Sequence, residues 1–497
     1  MKILSPQQLH DADAKTIDIQ NITSWQLMER ASLNAVQKLK HIISKKQPIS
    51  ILVGCGNNGG DGLAIAHHLN KLGYTVEVYL IKYSSKLSPD GKLNLKRLQN
   101  KKEVNVYNID ENSDSISLKP NNVIIDAIFG IGLNRNLPDF VQNIIKIVNQ
   151  SNNLRVAIDV PSGLFLNQLT PKNATVFEAH HTLTFQCPKL NFFLPDYGNC
   201  VGEISVIDIG LDQSFISNLI NTYEYVDTKL ARSFLKIRKR FSHKGNYGHL
   251  LLIGGQYGMM GSVCLASKAS LKSGAGKVSV LSPQCGVDIL QTSVPEAMVI
   301  SAQESNTVTP VDLQIKPDNI CIGMGLGQST SAFETLKFAI QQTENPMLID
   351  ADGLNIMAQN TDLLKKLPSK SILTPHQGEL KRLIGEWHDE YEKLDKMKKF
   401  VRAYDVILVA KDAYTFVVDQ DKTYINSTGN SGMATAGSGD TLSGIISGLL
   451  VQNYSPIQAS ILGVYMHGKA GDLYTQKSSK NSLIASDIID FLGDVFI

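Results

Sequence analysis

The stretch from Asn430 to Gly444 combines small residues with one acid in a pattern suited to phosphoryl transfer. Residues 436–439, Ala-Gly-Ser-Gly, let the backbone approach a ligand closely, and Asp440 follows at once. Helical apolar spacing behind Asp440 predicts a glycine-rich loop that leads into a buried helix. The first N–H groups of that helix lack intrahelical partners, so the loop is a candidate anion hole. An acid placed there is suited to accept a proton from an attacking hydroxyl.

A glycine-rich helix packed tightly against a neighbour is the alternative interpretation, and for a lone Gly-x-Gly it would be preferred. The combination of small residues, acid and apolar helix favours a site. The stretch resembles the Gly-Ala-Gly-Asp signature of the ribokinase-like superfamily, with Ser438 in place of Ala. This resemblance implies that Asp440 is the catalytic base, and that the amides of Gly437, Ser438 and Gly439 form the anion hole.

Polar side chains also follow three predicted strands in the first half of the chain. A buried strand at 49–53 leads into a glycine- and asparagine-rich loop, then a helix at 63–72 and a strand at 75–81, which is a βαβ unit. Asp126 lies in the next strand, and Asp159 and Ser162 follow another. In an open parallel sheet, ligands bind beyond the carboxyl ends of the strands. Three polar strand ends therefore predict a binding site at one edge.

The loop text Gly54-x-Gly56-x-x-Gly59 matches the dinucleotide fingerprint, but it does not predict a classical NAD site. That site needs an acid at the end of the second strand, where this chain has Leu-Ile-Lys. A glycine-rich turn with polar decoration is the simplest alternative. Asn57 and Asn58 favour a site, because amide groups donate to phosphate and their oxygens coordinate cations.

The spaced motifs Asn-Asn-Gly-Gly-Asp-Gly, Asp-x-x-Phe-Gly-x-Gly and Asp-Val-Pro-Ser-Gly resemble the NAD(P)H-hydrate epimerase, or YjeF N-terminal, domain over about residues 1–211. The resemblance implies a potassium ion on Asn58, Asp126 and Ser162. It implies that Asp159 touches the nicotinamide ring and does acid–base work, with Lys189 a less certain catalytic partner. It also implies phosphate and substrate contacts by Asn57, Asn58, Gly59, Gly60 and Asp61 and by Gly130, Ile131, Gly132, Leu133, Asn134, Arg135 and Asn136.

The second half again alternates strands and helices, and its motifs His-Lys-Gly-x-Tyr-Gly and Thr-Pro-His-x-Gly-Glu are not typical of sugar kinases. From about residue 225 onwards it resembles the ADP/ATP-dependent NAD(P)H-hydrate dehydratase, a ribokinase-like enzyme. The resemblance implies that the hydrated nucleotide faces Ser262, Gly325, His376 and Asp440. It implies adenine-nucleotide contacts by Lys411, Asp412, Ala413, Tyr414, Thr415, Gly437, Ser438 and Gly439.

Two residues depart from the usual family pattern: Ser262 replaces Ala, and Met324 replaces Pro. Both are small local changes that we expect to leave activity intact. Taken alone, His376 would be a loop histidine and Lys411 a solvated strand end, so their assignment depends on the motifs around them.

Composition excludes several classes of protein. The 497 residues have 43% hydrophobic composition and a formal charge of +2, so the chain can bury more than one core and shows no nucleic-acid signature. Six scattered cysteines predict neither a disulfide framework nor a zinc site, which suits a reducing compartment. No apolar run predicts a signal peptide or a membrane span. We expect a cytoplasmic homo-oligomer that binds small molecules and neither nucleic acid nor membrane.

The sequence therefore predicts an α/β protein of two domains, a Rossmann-like parallel-sheet sandwich at 1–212 and a ribokinase-like α/β domain at 225–497. The predicted function is repair of hydrated NADH or NADPH, by epimerisation in the first domain and dehydration of the S form in the second. The expected cofactors are K⁺ for the epimerase, and Mg²⁺ with ADP or ATP for the dehydratase. Resemblance to fused chains of the family favours ADP, and the preference between NADH and NADPH stays open.

Two other interpretations remain open at this stage. One is a small-molecule kinase, for example of a hydroxymethylpyrimidine, with a regulatory nucleotide-binding front domain. The other is a front domain that only binds nucleotides or a protein partner.

Overall fold

The computed structural model describes residues 1–101, 104–113, 116, 118–166 and 168–496. It divides the chain into two compact units, Lys2–Asn221 and Thr222–Ile497, with Met1 grouped with the second. Ile497, where the second predicted domain ends, lies outside the described residues. None of the helices in the described ranges is long and apolar enough to cross a bilayer.

The first unit contains a seven-stranded parallel sheet in the order β3-β2-β1-β4-β5-β6-β7. The chain order reverses between β1 and β4, which is where doubly wound folds bind ligands. Its strands are β1 (Ile49–Val53), β2 (Val76–Ile81), β3 (Asn105–Ile109), β4 (Val123–Ala127), β5 (Leu154–Ile158), β6 (His181–Phe185) and β7 (Glu203–Ile207).

The helices of the first unit cover this sheet. They are α1 (Pro6–Gln20), α2 (Ser24–Leu39), α3 (Asn57–Lys71), α4 (Pro89–Lys101), α5 (Asp139–Gln150), α6 (Gly198–Val201) and α7 (Gln213–Asn218), with a short 3-10 turn at Leu190–Phe193. Ser5 and Gln8 form a capping box at the start of α1, and Pro6 occupies its first turn. Helix α2 ends at Leu39.

Helix α3 starts at Asn57, six residues before the predicted start at 63, so the expected loop is largely the first turns of a helix. Its glycines provide close packing. A Cβ on Gly59 would lie 2.0 Å from the Gly54 carbonyl oxygen, and one on Gly62 would lie 2.6 Å from the Cβ of Ala127. Close approach of α3 to β1 and β4 therefore requires glycine, which explains the helix-breaking composition of a helical segment.

The second unit contains a ten-stranded sheet in the order β11-β10-β9-β12-β13-β14-β15-β16-β17-β8. Strands β9 to β15 run parallel, and β16 is antiparallel to both β15 and β17. The strands are β8 (Tyr223–Val226), β9 (His249–Ile253), β10 (Lys277–Ser282), β11 (Met298–Ser301), β12 (Asn319–Ile322), β13 (Leu348–Ile349), β14 (Ile372–Leu373), β15 (Ile407–Ala410), β16 (Phe416–Val418) and β17 (Thr423–Asn426).

The helices of the second unit include the predicted glycine-rich one, α15. They are α8 (Thr228–Ser233), α9 (Met260–Lys272), α10 (Val287–Ser293), α11 (Thr330–Gln341), α12 (Asp352–Gln359), α13 (Gln377–Ile384), α14 (Glu390–Tyr404), α15 (Ser438–Leu450), α16 (Pro456–Thr475) and α17 (Ala485–Asp490), and 3-10 turns lie at Lys244–Tyr247, Gln284–Gly286, Thr361–Lys366, Ser431–Met433, Lys480–Ser482 and Leu492–Asp494. The predicted α/β class is confirmed for both halves.

Close packing of α15 on α9 explains two of its glycines. A Cβ on Gly444 would lie 2.3 Å from the Ala266 carbonyl oxygen, and one on Gly448 would lie 2.6 Å from that of Ser270. The tight-packing interpretation is therefore correct for the body of the helix. It does not account for residues 437–440, which lie at the helix start.

The segment between the two predicted domains, from residue 212 to residue 228, has regular structure. It contains α7, capped by the Asp212 carboxylate, and β8, which pairs in parallel with β17. Strand β8 is thus the outermost strand of the second sheet.

Candidate active sites

The first unit contains a cavity of about 610 Å³ beyond the carboxyl ends of its strands. Loops that follow β1, β4 and β5 contribute to its lining, which is the convergence that the strand-end pattern predicts. Most of the predicted site residues of this half line it, namely Asn57, Asn58, Asp61, Gly130, Ile131, Gly132, Leu133, Asn134, Arg135, Asp159 and Lys189.

Three predicted contact residues lie outside that lining. Gly59 packs against Gly54, and a Cβ on Gly60 would lie 2.9 Å from the sulfur of Met28, so both glycines contact the protein rather than the cavity. Asn136 lines a separate cavity of about 120 Å³. We therefore infer that these residues shape the site indirectly.

Asp159 and Lys189 form a buried ion pair in the cavity wall. The Lys189 Nζ lies 2.7 Å from Asp159 Oδ1, and the Lys189 side chain is 3% exposed. Oδ1 also accepts a hydrogen bond from the Phe185 amide at 3.1 Å, and Lys189 donates to the Thr184 hydroxyl and to two carbonyls. The ammonium and amide donors fix the orientation of the Asp159 carboxyl in the cavity wall, which suits a group that must meet a substrate proton in a defined geometry.

Asp159 has a left-handed backbone conformation, with φ of +61°. An L-residue in that region costs free energy, and such strain is concentrated at functional sites. The conformation is a second feature that separates Asp159 from an ordinary loop acid.

The oxygen ligands proposed for potassium lie together behind the cavity. Asn58 donates from Nδ2 to the carbonyls of Phe129 and Ile158, at 2.8 and 3.2 Å, whereas its Oδ1 is buried with no hydrogen-bond partner among the described residues. The Asp126 carboxylate is fully buried, and Ser162 donates to it from both its amide and its hydroxyl, each at 2.7 Å. A buried amide oxygen without a donor fits a hard monovalent cation.

Burial also perturbs Asp126. Loss of water raises the pKa of its carboxyl to about 6, although the Ser162 and Ile128 donors oppose the shift. A cation beside this carboxylate would favour its charged form.

Several acidic side chains in the cavity wall were not identified from the sequence as catalytic. Asp13 in α1 and Asp90 in α4 line the cavity, together with Asp61. Burial, followed by the charge of Asp159, raises the pKa of Asp13 to about 7, and burial raises that of Asp61 well above its ordinary value. Asp13 lies in an amphipathic helix without a motif, so no local signal distinguishes it.

The predicted anion hole of the second unit lies at the start of α15. Gly437 precedes the helix with φ of +84°, and a Cβ there would lie 2.5 Å from Leu265. A Cβ on Gly439 would lie 3.3 Å from Lys411 Nζ, so the ammonium lies directly beside the first turn. The free amides of the first helical turn and the adjacent lysine ammonium together form a candidate phosphate-binding site.

Lys411 is held there by a residue that the sequence did not assign. Its Nζ lies 3.0 Å from Asp350 Oδ1, and Ser443 of α15 donates to Asp350 Oδ2 at 2.7 Å. Asp350 is only 1% exposed. The position of Lys411 differs from that expected of a solvated strand end, because an ion pair orients it towards the helix start.

Asp440 lies in the first turn of α15, close to Ser262 of α9. Burial and the nearby Asp350 carboxylate raise the pKa of Asp440 to about 6, whereas a hydrogen bond from the Ser262 hydroxyl and the charge of Lys411 oppose the shift. A carboxylate with a pKa just below neutrality is suited to accept a proton at physiological pH.

Gly325 and His376 complete the residues expected to face substrate in this half. A Cβ on Gly325 would lie 3.4 Å from that of Ser262, so these two positions adjoin. His376 caps α13, with its Nδ1 accepting from the Gly378 amide at 2.9 Å and its Nε2 3.3 Å from Glu379 Oε1. Its ring is 58% exposed, so a ligand can reach it.

The remaining nucleotide-binding candidates lie in the turn between β15 and β16. Asp412 accepts from Gln377 and lies 3.4 Å from Lys393 Nζ, and Tyr414 and Thr415 follow. The half-buried His467 lies 3.0 Å from the Ser438 carbonyl oxygen, a contact that no sequence pattern predicted.

Comparison with known proteins agrees with this geometry in both halves. The family model described as NAD(P)H-hydrate dehydratase matches residues 250–493, and that described as YjeF-related protein N-terminus matches residues 24–191. The bifunctional NAD(P)H-hydrate repair enzyme of Moorella thermoacetica is 33% identical over 488 residues, which cover 95% of this chain and 92% of that one. The enzyme of the same name from Escherichia coli K12 is 32% identical over 97% of this chain and 91% of that one.

Among solved structures, the ADP/ATP-dependent NAD(P)H-hydrate dehydratase of Bacillus subtilis, co-crystallised with ATP and Mg²⁺, has a TM-score of 0.48 and 28% identity, covering 56% of this chain and 99% of that one.

Each unit is an α/β fold with its own candidate site, a cavity beyond the strand ends in the first and an anion hole at the start of α15 in the second. The chain belongs to the family of bifunctional NAD(P)H-hydrate repair enzymes.

Proposed function

We propose that the chain repairs hydrated NADH and NADPH in two steps, epimerising the hydroxylated ring carbon in the first unit and dehydrating the S form in the second. The observation that carries this proposal is the co-occurrence of two separate acid sites, Asp159 paired with Lys189 and Asp440 beside an anion hole, in a chain of this family. The alternative function, a small-molecule kinase, is supported only by the site in the second unit.

In the second unit, the reaction must convert hydroxide, a poor leaving group, into a good one. Asp440 accepts the proton of the ring hydroxyl while the oxygen attacks the terminal phosphoryl group of ADP or ATP. The amides of residues 437–439 and Lys411 stabilise the transferring charge, and the nucleotide enters as its Mg²⁺ complex. AMP or ADP leaves as the phosphoryl group is transferred. Phosphate then departs from the ring carbon and the adjacent ring carbon loses a proton, which forms the double bond and restores the conjugated ring.

In the first unit, no energy source is needed, because the epimers are nearly equal in free energy. Asp159 accepts the hydroxyl proton, and the aminal centre opens and closes again. Asn58 Oδ1, together with Asp126 and Ser162, would hold a potassium ion, whose fixed charge would order the loops after β1 and β4.

The proposal is tested with purified protein and hydrated NADH as a mixture of epimers. Recovery of the dihydronicotinamide absorbance is followed with ADP or ATP, and free phosphate is measured in parallel. Complete conversion of both epimers with stoichiometric phosphate supports repair. Release of a stable phosphorylated product instead would favour a kinase and overturn the dehydratase assignment.

Removal of the Ser262 hydroxyl should move the pH dependence of dehydration. The nearby Ser262 hydroxyl lowers the pKa of Asp440, so Ser262→Ala should raise that pKa above about 6. Because the base must be ionised, the acid limb of kcat/KM moves to higher pH and activity near neutrality changes little. The profile is measured on the pure S epimer. The control is Ser270→Ala, which removes a hydroxyl that donates within its own helix, α9. An acid limb of kcat/KM that stays at the wild-type pH in Ser262→Ala would contradict the role given to Asp440.

Potassium should support the epimerase and not the dehydratase. After exchange into a buffer of a bulky organic cation, we expect the epimerisation rate to fall and to recover on addition of K⁺. Asn58→Leu removes the unpartnered amide oxygen and should abolish the response to K⁺. Thermal unfolding of the protein with and without K⁺ gives a readout independent of activity. If neither the epimerisation rate nor the midpoint of thermal unfolding changes on addition of K⁺, the proposed ion site is ruled out.

A further inference from the structure

The epimerase site, on the function proposed above, needs a proton donor as well as an acceptor. When the hydroxyl proton leaves and the carbonyl bond forms, the bond from that carbon to the ring nitrogen breaks. The electron pair left on nitrogen must take a proton, and closure of the ring on the other face returns it. Asp159, whose Oδ1 accepts from Lys189 and from the Phe185 amide, provides only the acceptor.

Lys189 is a poor candidate for the donor. Its Nζ contacts Asp159 Oδ1, the Thr184 hydroxyl and the carbonyls of Phe185 and Cys187, at 2.7 to 3.1 Å. All of these groups accept hydrogen bonds from Nζ, so its donors are engaged within the wall rather than directed at a ligand. Lys189 therefore acts as a positioning residue for Asp159.

We propose that Asp13, in helix α1, is the second proton-transfer group of the epimerase, donating to the ring nitrogen while Asp159 accepts from the hydroxyl. Asp13 lines the same cavity as Asp159 and Lys189 and interacts electrostatically with both. Among the described residues no hydrogen bond or ion pair engages its carboxyl. The carboxyl is thus open to the cavity.

The titratable side chains around the cavity support the role of Asp13 as proton donor. The titratable groups that line the cavity with Asp13 are His10, Asp61, Tyr83, Asp90, Arg135, Asp159 and Lys189. Burial and the Asp159 charge raise the pKa of Asp13 to about 7, so Asp13 holds a proton in a large fraction of molecules near neutrality, as a general acid must.

Asp61 is the rival donor, but the Ser32 hydroxyl lies 3.5 Å from its Oδ1, whereas no hydrogen bond in the described ranges engages the Asp13 carboxyl.

The test compares Asp13→Asn, Asp61→Asn and Asp11→Asn in the full chain with the coupled assay. Asp11 is an exposed acid on the same helix and serves as the matched control. We expect Asp13→Asn to slow epimerisation by about 10²–10⁴-fold, which is the usual range for loss of a general acid. The wild type should lose epimerase activity as pH rises through about 7, the pKa of Asp13, and Asp13→Asn should lose that alkaline limb.

Two further measurements distinguish a loss of catalysis from a loss of ligand binding or of folding. Binding of NADPH, followed by thermal shift, and dehydration of the pure S epimer should be unchanged in Asp13→Asn. Wild-type rate in Asp13→Asn, or loss of the alkaline limb only in Asp61→Asn, would overturn the assignment. Lost NADPH binding would show that Asp13 is a binding residue. A wild type that does not interconvert epimers would instead overturn the proposed function, and the role of Asp13 with it.

Discussion

Asp440→Asn should lower dehydration of the S epimer by about 10²–10⁴-fold, because the amide cannot accept the hydroxyl proton. The carboxyl lies at the start of α15, where Ser262 and Lys411 oppose the effect of burial and keep its pKa at about 6. Epimerisation should proceed at the wild-type rate, because Asp159 and Lys189 belong to the other compact unit. The two rates are measured separately, by absorbance recovery and by chromatography of the epimers.

Stability distinguishes this change from a folding defect. Burial raises the pKa of Asp440, so its charge is a cost to the folded protein, and replacing it should leave the melting temperature unchanged or higher. Asp490→Asn, at an exposed ion pair with Lys268 in the same unit, is the matched control and should keep full activity. Dehydration by Asp440→Asn within tenfold of wild type would remove Asp440 from the role of base.

Asp159→Asn should produce two-phase repair of mixed epimers. The S fraction should be dehydrated quickly, and the R fraction only as fast as it epimerises spontaneously, because the acceptor in the first unit is lost. With pure S epimer the mutant should match the wild type. A single fast phase with the mixture would show that Asp159 is not the epimerase base, and failure on pure S epimer would show that the units depend on each other.

The same substitution should also destabilise the first unit. It leaves the Lys189 ammonium, 3% exposed, without its counter-ion, and breaking a buried pair from one side costs up to about 3–5 kcal/mol. Lys189→Met in the Asp159→Asn background should restore stability without restoring epimerisation. Asp196→Asn, an exposed acid in the same unit, should change neither quantity. This pair of controls separates lost chemistry from lost folding.

The architecture and most of the site could be predicted because their signals are local. Strands such as β1 and β4 are continuous apolar runs, and the polar residues directly after strands lie at one sheet edge for any parallel α/β fold. The segment 437–440 is similarly local, because a helix start and its acid are neighbours in sequence. Helix α3 was placed too late because glycine signals a loop, whereas here it permits close packing that depends on distant strands.

The remaining features depend on residues far apart in the chain. Three such pairs form only when the sheets and helices assemble. Asp13 lies near enough to Asp159 for their charges to interact, Asp350 orients Lys411 towards Gly439, and His467 contacts Ser438. Burial and neighbouring charges then set the pKa of each acid, and neither can be computed from a residue and its sequence neighbours. The amino-acid pattern thus specifies which groups stand at the strand and helix ends. Tertiary packing specifies which acids are ionised and which keep a proton, because it controls access to water and the distance between charges.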